Sequence, residues 1–123
     1  HTTVIHSVKT IEKLKKQDNE LSINIDQIQT SVCQFFKINK SEMLSARRSR
    51  YLVRPRQTAI YLAKILTSKS LPEIGRAFSN RDHTTVIHSV KTIEKLKKQD
   101  NELSINIDTL KNKILYKHSQ NEV

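Results

Sequence analysis

Four consecutive polar residues, Asp82, His83, Thr84 and Thr85, stand at the predicted start of a helix whose later positions turn apolar. A carboxylate can accept from cytosine N4, an imidazole can donate or accept, and a threonine methyl fits the C5-methyl of thymine. On an exposed helix N-terminus, such side chains suit contacts with base edges in the DNA major groove. The threonines also match the ordinary preference for helix starts. Asp82 suits an N-cap, a role that is compatible with base contact.

A dense basic segment provides the second set of candidate residues, because residues 37–56 contain seven basic side chains and one acid, Glu42. Pro55 suits the first turn of a helix, and the arginines before that helix are therefore predicted to lie on a loop. These loop arginines are Arg47, Arg48 and Arg50. A loop arginine suits a narrow, A·T-rich minor groove, or, taken alone, a nonspecific phosphate patch or an anionic lipid surface. Phosphate contacts are also predicted for Arg54, Arg56 and Lys64.

Composition agrees with a helical domain that meets a polyanion. The 123 residues carry a net charge of +10 with a pI near 9.9, which implies nucleic acid or an anionic membrane surface as partner. One glycine and two prolines leave few tight turns. Cys33 is the single cysteine and is predicted to be a small buried hydrophobe. No apolar run reaches membrane-spanning length, so a cytoplasmic, nucleoid-associated protein is expected.

Enzyme and metal chemistry find little support in the sequence. His83 and His88 are five positions apart, about 140° around a helix, whereas zinc-binding helices place histidines four positions apart. A single glycine excludes a glycine-rich phosphate loop. We therefore expect a binding domain with no catalytic residue, no metal and no cofactor.

The chain also contains an unusual internal repeat, since residues 1–26 are identical to residues 83–108. Natural repeat arrays diverge in sequence and stack three or more units, so this identity indicates a recent duplication, an engineered chain or an artefact of sequence assembly. Residues 1–26 are predicted to be a helical lead-in of doubtful function, because this copy lacks the residues that precede the second one. Two identical segments could also compete for one docking groove. The DNA-binding domain is then expected at residues 27–118, with a frayed tail at 119–123.

Apolar periodicity predicts an all-α fold, a small helical bundle containing a helix-turn-helix. Asp26 with Gln29 is expected to cap the first helix, which ends near Lys37. Later caps are predicted at Ser41, Ser70 and Asp82. The other predicted elements are a short helix at 42–45, a helix ending near 67, a turn at 79–81, a helix fading at 99–101 and a final helix near 108–117.

Four motifs together resemble the C-terminal DNA-binding domain, domain IV, of the bacterial replication initiator family DnaA. They are Leu44-Ser-Ala-Arg-Arg-Ser-Arg50, Arg54-Pro-Arg-Gln57, Ser70-Leu-Pro-Glu-Ile-Gly75 and Arg81-Asp-His-Thr-Thr-Val86. The resemblance covers residues 27 to about 117. It implies a helix-turn-helix that binds asymmetric origin boxes of the TTATNCACA type as a monomer.

The resemblance also implies roles for individual residues. Base reading in the major groove falls to Asp82, His83, Thr84 and Thr85, and minor-groove contact falls to Arg48. Phosphate contacts fall to Arg56, Lys64, Leu71, Pro72 and His88. Family members carry an ATP-binding AAA+ domain before this one, so ATP hydrolysis is not expected of this chain, which could compete with a full-length initiator for its sites.

Two rival functions remain open at the level of sequence. Residues 37–56 could lie on acidic phospholipids, with which DnaA-like proteins are associated, or bind a partner protein. An unrelated transcriptional regulator would instead require a dimer and a palindromic site.

Overall fold

The computed structural model describes residues 23–122, with side chains described as far as residue 118. This part of the chain contains six α-helices and no strand, which confirms the predicted all-α fold. We number them in chain order: α1 Ile25–Phe36, α2 Lys40–Met43, α3 Arg50–Leu66, α4 Leu71–Ala77, α5 His83–Gln99 and α6 Asn101–Glu122. The predicted helical lead-in lies outside the described residues except for its last four positions.

Helix α3 is the centre of the bundle and packs against α1, α2, α4 and α5. Ala59, Ile60, Ala63 and Leu66 form an apolar stripe along it and are all buried. Helix α6 packs across α1 and α5 on another side. Apolar side chains spaced to share one helical face therefore account for most of the core.

Helix α1 begins earlier than predicted, and its cap is a different residue. Asn24 is the N-cap: its side chain accepts from the Gln27 N–H, and the Gln27 side chain accepts in return from the Asn24 N–H. Asp26 instead lies in the first turn and pairs with Lys40. Ile23 is only 3% exposed, so burial of this flanking residue fixes where the helix starts. The end of the copied segment thus belongs to the folded domain.

The other predicted capping residue of α1, Gln29, serves a tertiary contact. It is buried, and its side-chain amide donates to the carbonyl oxygen of Ala77 at 2.9 Å. This bond links α1 to the C-terminal end of α4. Cys33, as predicted, is buried, and burial raises the pKa of its thiol.

Helix α3 also begins before its predicted start, with Ser49 at the N-cap position. Arg50 is therefore the first residue of the helix, and the prediction that it lies on the loop is wrong. Pro55 lies inside the helix, not in its first turn. The short helix α2 follows Asn39 at its N-cap position, so the cap predicted at Ser41 is also wrong.

Helix α6 starts seven residues before the predicted position and runs to Glu122, through the tail that was expected to fray. Asp100 separates it from α5, and the Asp100 carboxylate accepts from the Leu103 N–H at 3.1 Å. Four buried side chains then repeat along one face: Leu103, Ile107, Leu110 and Ile114. This stripe holds much of the length of α6 against the bundle. Within residues 23–122, no helix combines the length and apolarity needed to cross a membrane.

One tetrapeptide, Ile-Asn-Ile-Asp, adopts two structures in the same chain. In residues 23–26 it is the extended entry and first turn of α1, whereas in residues 105–108 it lies in the interior of α6. The first isoleucine is 3% exposed in one place and 63% exposed in the other. Residues outside the tetrapeptide, among them Gln27 of the capping box and the surrounding core, therefore decide the conformation of these four residues.

Candidate nucleic-acid interface

Helices α4 and α5 and the turn between them form the predicted helix-turn-helix. Ser70 caps the start of α4, as predicted, and forms a reciprocal capping box with Glu73. The turn lies directly on Gly75, because a Cβ there would meet the Arg81 carbonyl oxygen at 2.0 Å. The Arg81 N–H also donates to the Gly75 carbonyl at 2.9 Å. This close approach requires glycine and sets the angle at which α5 leaves the turn.

The N-terminus of α5 is exposed and capped by Asp82. The Thr85 N–H and hydroxyl both donate to one Asp82 carboxylate oxygen, at 3.0 and 3.3 Å. The Thr85 N–H is the main reason why the pKa of Asp82 lies below its ordinary value, with the Thr85 hydroxyl and the His83 charge acting in the same direction. His83 and Thr84 are exposed. All four predicted base-reading residues of α5 therefore lie on an accessible helix tip.

A single exposed stripe continues from this tip along α5. The core side of the helix is marked by Val86, Ser89 and Ile93, which are buried. Successive residues of an α-helix are about 100° apart around its axis. Five exposed side chains therefore lie on the side of α5 that faces away from the core. They are Thr84, His88, Lys91, Lys95 and Lys98. Thr84 and His88 were predicted from the sequence as DNA contacts, whereas the three lysines were not, although their spacing of four and three positions was a readable signal.

The basic loop lies beside the start of α5. An open cleft of about 390 Å³ is lined by Leu44, Ala46, Arg48, Arg56, Ser79, Arg81 and Thr85. Arg48 is exposed, as a groove-entering arginine must be. The loop residue predicted for one groove and the helix tip predicted for the other therefore share one surface.

Arg56 is buried, at 7% exposure, and forms hydrogen bonds with the backbone where the loop begins. Its Nε donates to the Met43 carbonyl at 2.6 Å and one Nη donates to the Ser45 carbonyl at 2.9 Å. Burial lowers the pKa of Arg56, and the nearby charge of Arg81 lowers it further. A guanidinium still keeps its proton at neutral pH. Any phosphate contact by Arg56 falls to its remaining Nη.

Two residues of the turn that sequence analysis did not assign also reach the loop. The Ser79 hydroxyl donates to the Leu44 carbonyl at 2.6 Å. The Arg81 guanidinium donates to the carbonyls of Phe78 at 2.6 Å and Ser45 at 2.7 Å. The loop carbonyls lie 35 and 36 positions from their donors in the chain, so no local sequence pattern reveals these bonds.

The remaining candidates for phosphate contact differ in their exposure and in their hydrogen-bond partners. Arg47 forms a surface ion pair with Glu42 at 3.5 Å, and Arg54 donates to the Gln57 side chain at 2.7 Å. Four others are exposed, and Leu71 is half-buried at the start of α4. The exposed four are Arg50, Lys64, Pro72 and His88. In the described part of the chain, no three metal-ligating side chains come together.

Comparison with known proteins agrees with this architecture. The family described as "Bacterial dnaA protein helix-turn-helix" matches residues 25–93, more than half of the chain. A Chromosomal replication initiator protein DnaA from Wolbachia sp. subsp. Brugia malayi is 46% identical over 90% of this chain and 25% of its own length. The corresponding protein of Ehrlichia ruminantium, strain Gardel, is 54% identical over 75% of this chain and 20% of its own.

A solved structure shares the fold as well. The crystal structure of a DNA replication initiation factor superimposes with a TM-score of 0.68 and 27% identity, over 96% of this chain and 38% of the other. The chain thus spans a quarter or less of the two DnaA relatives named above. The family match falls on α1 to α5 and includes the capped α5 tip and the basic loop. This chain belongs to the bacterial DnaA family, whose helix-turn-helix region it carries.

Proposed function

We propose that this domain binds double-stranded DNA sequence-specifically at DnaA-box-type sites of a replication origin. The tip of α5 would enter the major groove, and Arg48 would enter the adjacent minor groove. The observation that carries this proposal is the shared cleft, whose lining includes both Arg48 and Thr85. Two readers on one rigid surface can follow two neighbouring grooves of the same duplex.

The charge distribution supports a duplex as the partner. The exposed lysines of α5 lie on the same face as Thr84, and Arg48 of the basic loop lies beside the helix tip. Base contacts would specify the sequence, whereas these cations would hold the phosphates and supply much of the affinity. Binding should therefore weaken steeply as the salt concentration rises.

The same proposal includes several statements about the wider protein. The domain would act as a monomer on one asymmetric box, need no cofactor and carry out no catalysis. A nucleoid-associated location in the cytoplasm follows from origin binding. Because the domain would occupy the same sites as a full-length initiator, it would compete with that initiator.

Fluorescence anisotropy with labelled duplexes tests the proposal. The protein should bind a box duplex at least about a hundredfold more tightly than a scrambled duplex of equal length and composition. Equal affinity for the two duplexes would contradict sequence-specific binding. Sedimentation of the complex should give one protein per box.

Vesicles of acidic phospholipid provide the competing measurement. If the basic surface serves DNA, box duplex should displace the protein from the vesicles, because both ligands need the same cations. Vesicle binding that persists at saturating box DNA would instead favour a peripheral membrane role for residues 37–56.

A further inference from the structure

We propose that Arg81 is a positioning residue that couples the minor-groove loop to the recognition helix, so that the two readers engage DNA as one unit. The inference rests on the proposed function, because it assigns each reader to a groove. Arg81 itself need not touch DNA. It would act through Arg48 on one side and through the tip of α5 on the other.

The first observation is that side chains from elsewhere in the fold bind the carbonyls of three successive residues, at the end of α2 and the start of the loop. Met43 accepts from Arg56 at 2.6 Å, and Leu44 accepts from Ser79 at 2.6 Å. The Ser45 carbonyl accepts from both Arg56, at 2.9 Å, and Arg81, at 2.7 Å. We call Arg56, Ser79 and Arg81 the loop brace. It fixes the loop backbone just before Arg48.

The second observation concerns the other end of Arg81. Its second Nη donates to the Phe78 carbonyl at 2.6 Å, and its backbone N–H donates to the Gly75 carbonyl at 2.9 Å. Asp82, the N-cap of α5, follows immediately in the chain. One guanidinium therefore spans the distance between the loop and the turn that aims the recognition helix.

The third observation is the electrostatic cost of the loop brace. Arg56 and Arg81 both lose hydration, and burial lowers the pKa of each. Neither forms a salt bridge with a carboxylate among the described residues. The two positive charges share one carbonyl and repel each other, so stability of the fold alone does not explain their placement. Next to a bound phosphate backbone, the same charges become favourable, so this placement suits a brace that works when DNA is present.

A double-mutant cycle tests the coupling directly. Arg48→Ala should weaken binding to the box duplex about tenfold in the unmodified chain. In an Arg81→Lys background, the same change should cost less than about threefold, because one ammonium cannot bond the loop and the turn in the same fixed geometry. Lysine keeps the charge, so the salt dependence of Arg81→Lys itself should remain that of the parent. A merely structural residue would not produce this pattern.

Two further variants make the test decisive. Arg76→Lys is the matched control, since Arg76 is exposed on α4, and the full effect of Arg48→Ala should persist there. Ser79→Gly is the second brace variant, because it removes the hydroxyl while accommodating the positive φ of 65°. It should also reduce the effect of Arg48→Ala, and it serves alone if Arg81→Lys fails to fold by circular dichroism.

The outcomes separate this inference from the proposed function. If box preference is present and Arg48→Ala costs the same factor in the parent, Arg81→Lys and Ser79→Gly chains, the coupling is refuted and box recognition stands. If Arg48→Ala costs nothing in the parent, the coupling fails together with the minor-groove contact. If the parent shows no box preference, the proposed function itself fails.

Discussion

Thr84 and Lys64 illustrate how single residues should differ in their effect on DNA binding. Thr84 lies at the exposed tip of α5, where a base contact is proposed, and Lys64 is exposed on α3, where a phosphate contact is proposed. Thr84→Ala should weaken box binding by about 1–3 kcal/mol and leave scrambled DNA nearly unaffected. Lys64→Ala should weaken both duplexes by a similar factor. Anisotropy titrations of each variant against both duplexes would check the assignment, and indistinguishable profiles would contradict it.

Asp82 should make the stability of α5 depend on pH. Its folded-state pKa lies below the ordinary value of 3.8, chiefly because the carboxylate accepts from the Thr85 N–H. The carboxylate therefore contributes fully above the unfolded-state pKa, and the contribution is lost as the pH falls through the folded-state value. Asp82→Asn retains a capping side chain that does not titrate, so its melting temperature should fall less steeply on acidification. Asp108→Asn, on the exposed side of α6, is the matched control for thermal melts; an equally flattened profile there would remove the cap from the explanation.

Particular residues show what the sequence could and could not predict at this scale. The cap at Asp82 and the capping box at Ser70 and Glu73 were predictable, because these signals lie within three positions. The burial of Arg56 and the role of Arg81 were not, since their hydrogen-bond partners in the loop lie 11 to 36 positions away. Only the folded chain brings these groups together.

At the scale of elements, the lysine stripe of α5 should hold DNA phosphates beyond the reach of the helix tip. Lys91 and Lys95 lie on the same exposed face as Thr84. Replacing both with alanine should reduce the slope of log affinity against log salt by about 0.9 for each phosphate that is no longer neutralised. Base specificity should be retained. The salt dependence can be followed by anisotropy on a box duplex with extended flanks.

A control of equal charge separates these phosphate interactions from bulk electrostatics. Lys111 and Lys113 lie on α6, which packs against α1 and α5 and carries no proposed DNA contact. Their double alanine variant should leave the salt slope close to that of the parent. Equal slopes for the two double variants would show that α5 contributes only net charge.

Helix positions were predicted well from periodicity, whereas helix ends were not. The buried faces of α3 and α5 follow from apolar spacing alone. Four starts were missed, at Ile25, Lys40, Arg50 and Asn101. At α1 the cap predicted from Asp26 and Gln29 does not form, because the helix is capped by Asn24, which places Ile23 in the core. At α3, Pro55 is accommodated within the helix, which a rule for first turns does not anticipate.

At the scale of the whole molecule, the edge of the domain can be tested by two truncations. A chain that starts at residue 23 keeps Ile23 and the Asn24 cap, whereas a chain that starts at residue 27 lacks both, together with Ile25. The shorter chain should be less stable by about 2 kcal/mol or more, because it lacks one cap and two buried side chains. Urea unfolding followed by circular dichroism would measure the difference. Equal stability of the two truncated chains would show that the bundle does not need these four residues.

The twofold occurrence of Ile-Asn-Ile-Asp gives this molecule its own internal standard. Composition and immediate neighbours within the four residues are the same, yet one set opens α1 and the other continues α6. In a sample with isotope-labelled asparagine, the amide and carbon NMR chemical shifts of Asn24 and Asn106 should therefore differ, and residue type cannot be the cause of that difference. Their separation would measure, inside a single polypeptide, how strongly the following residues and the surrounding core together act on one short sequence.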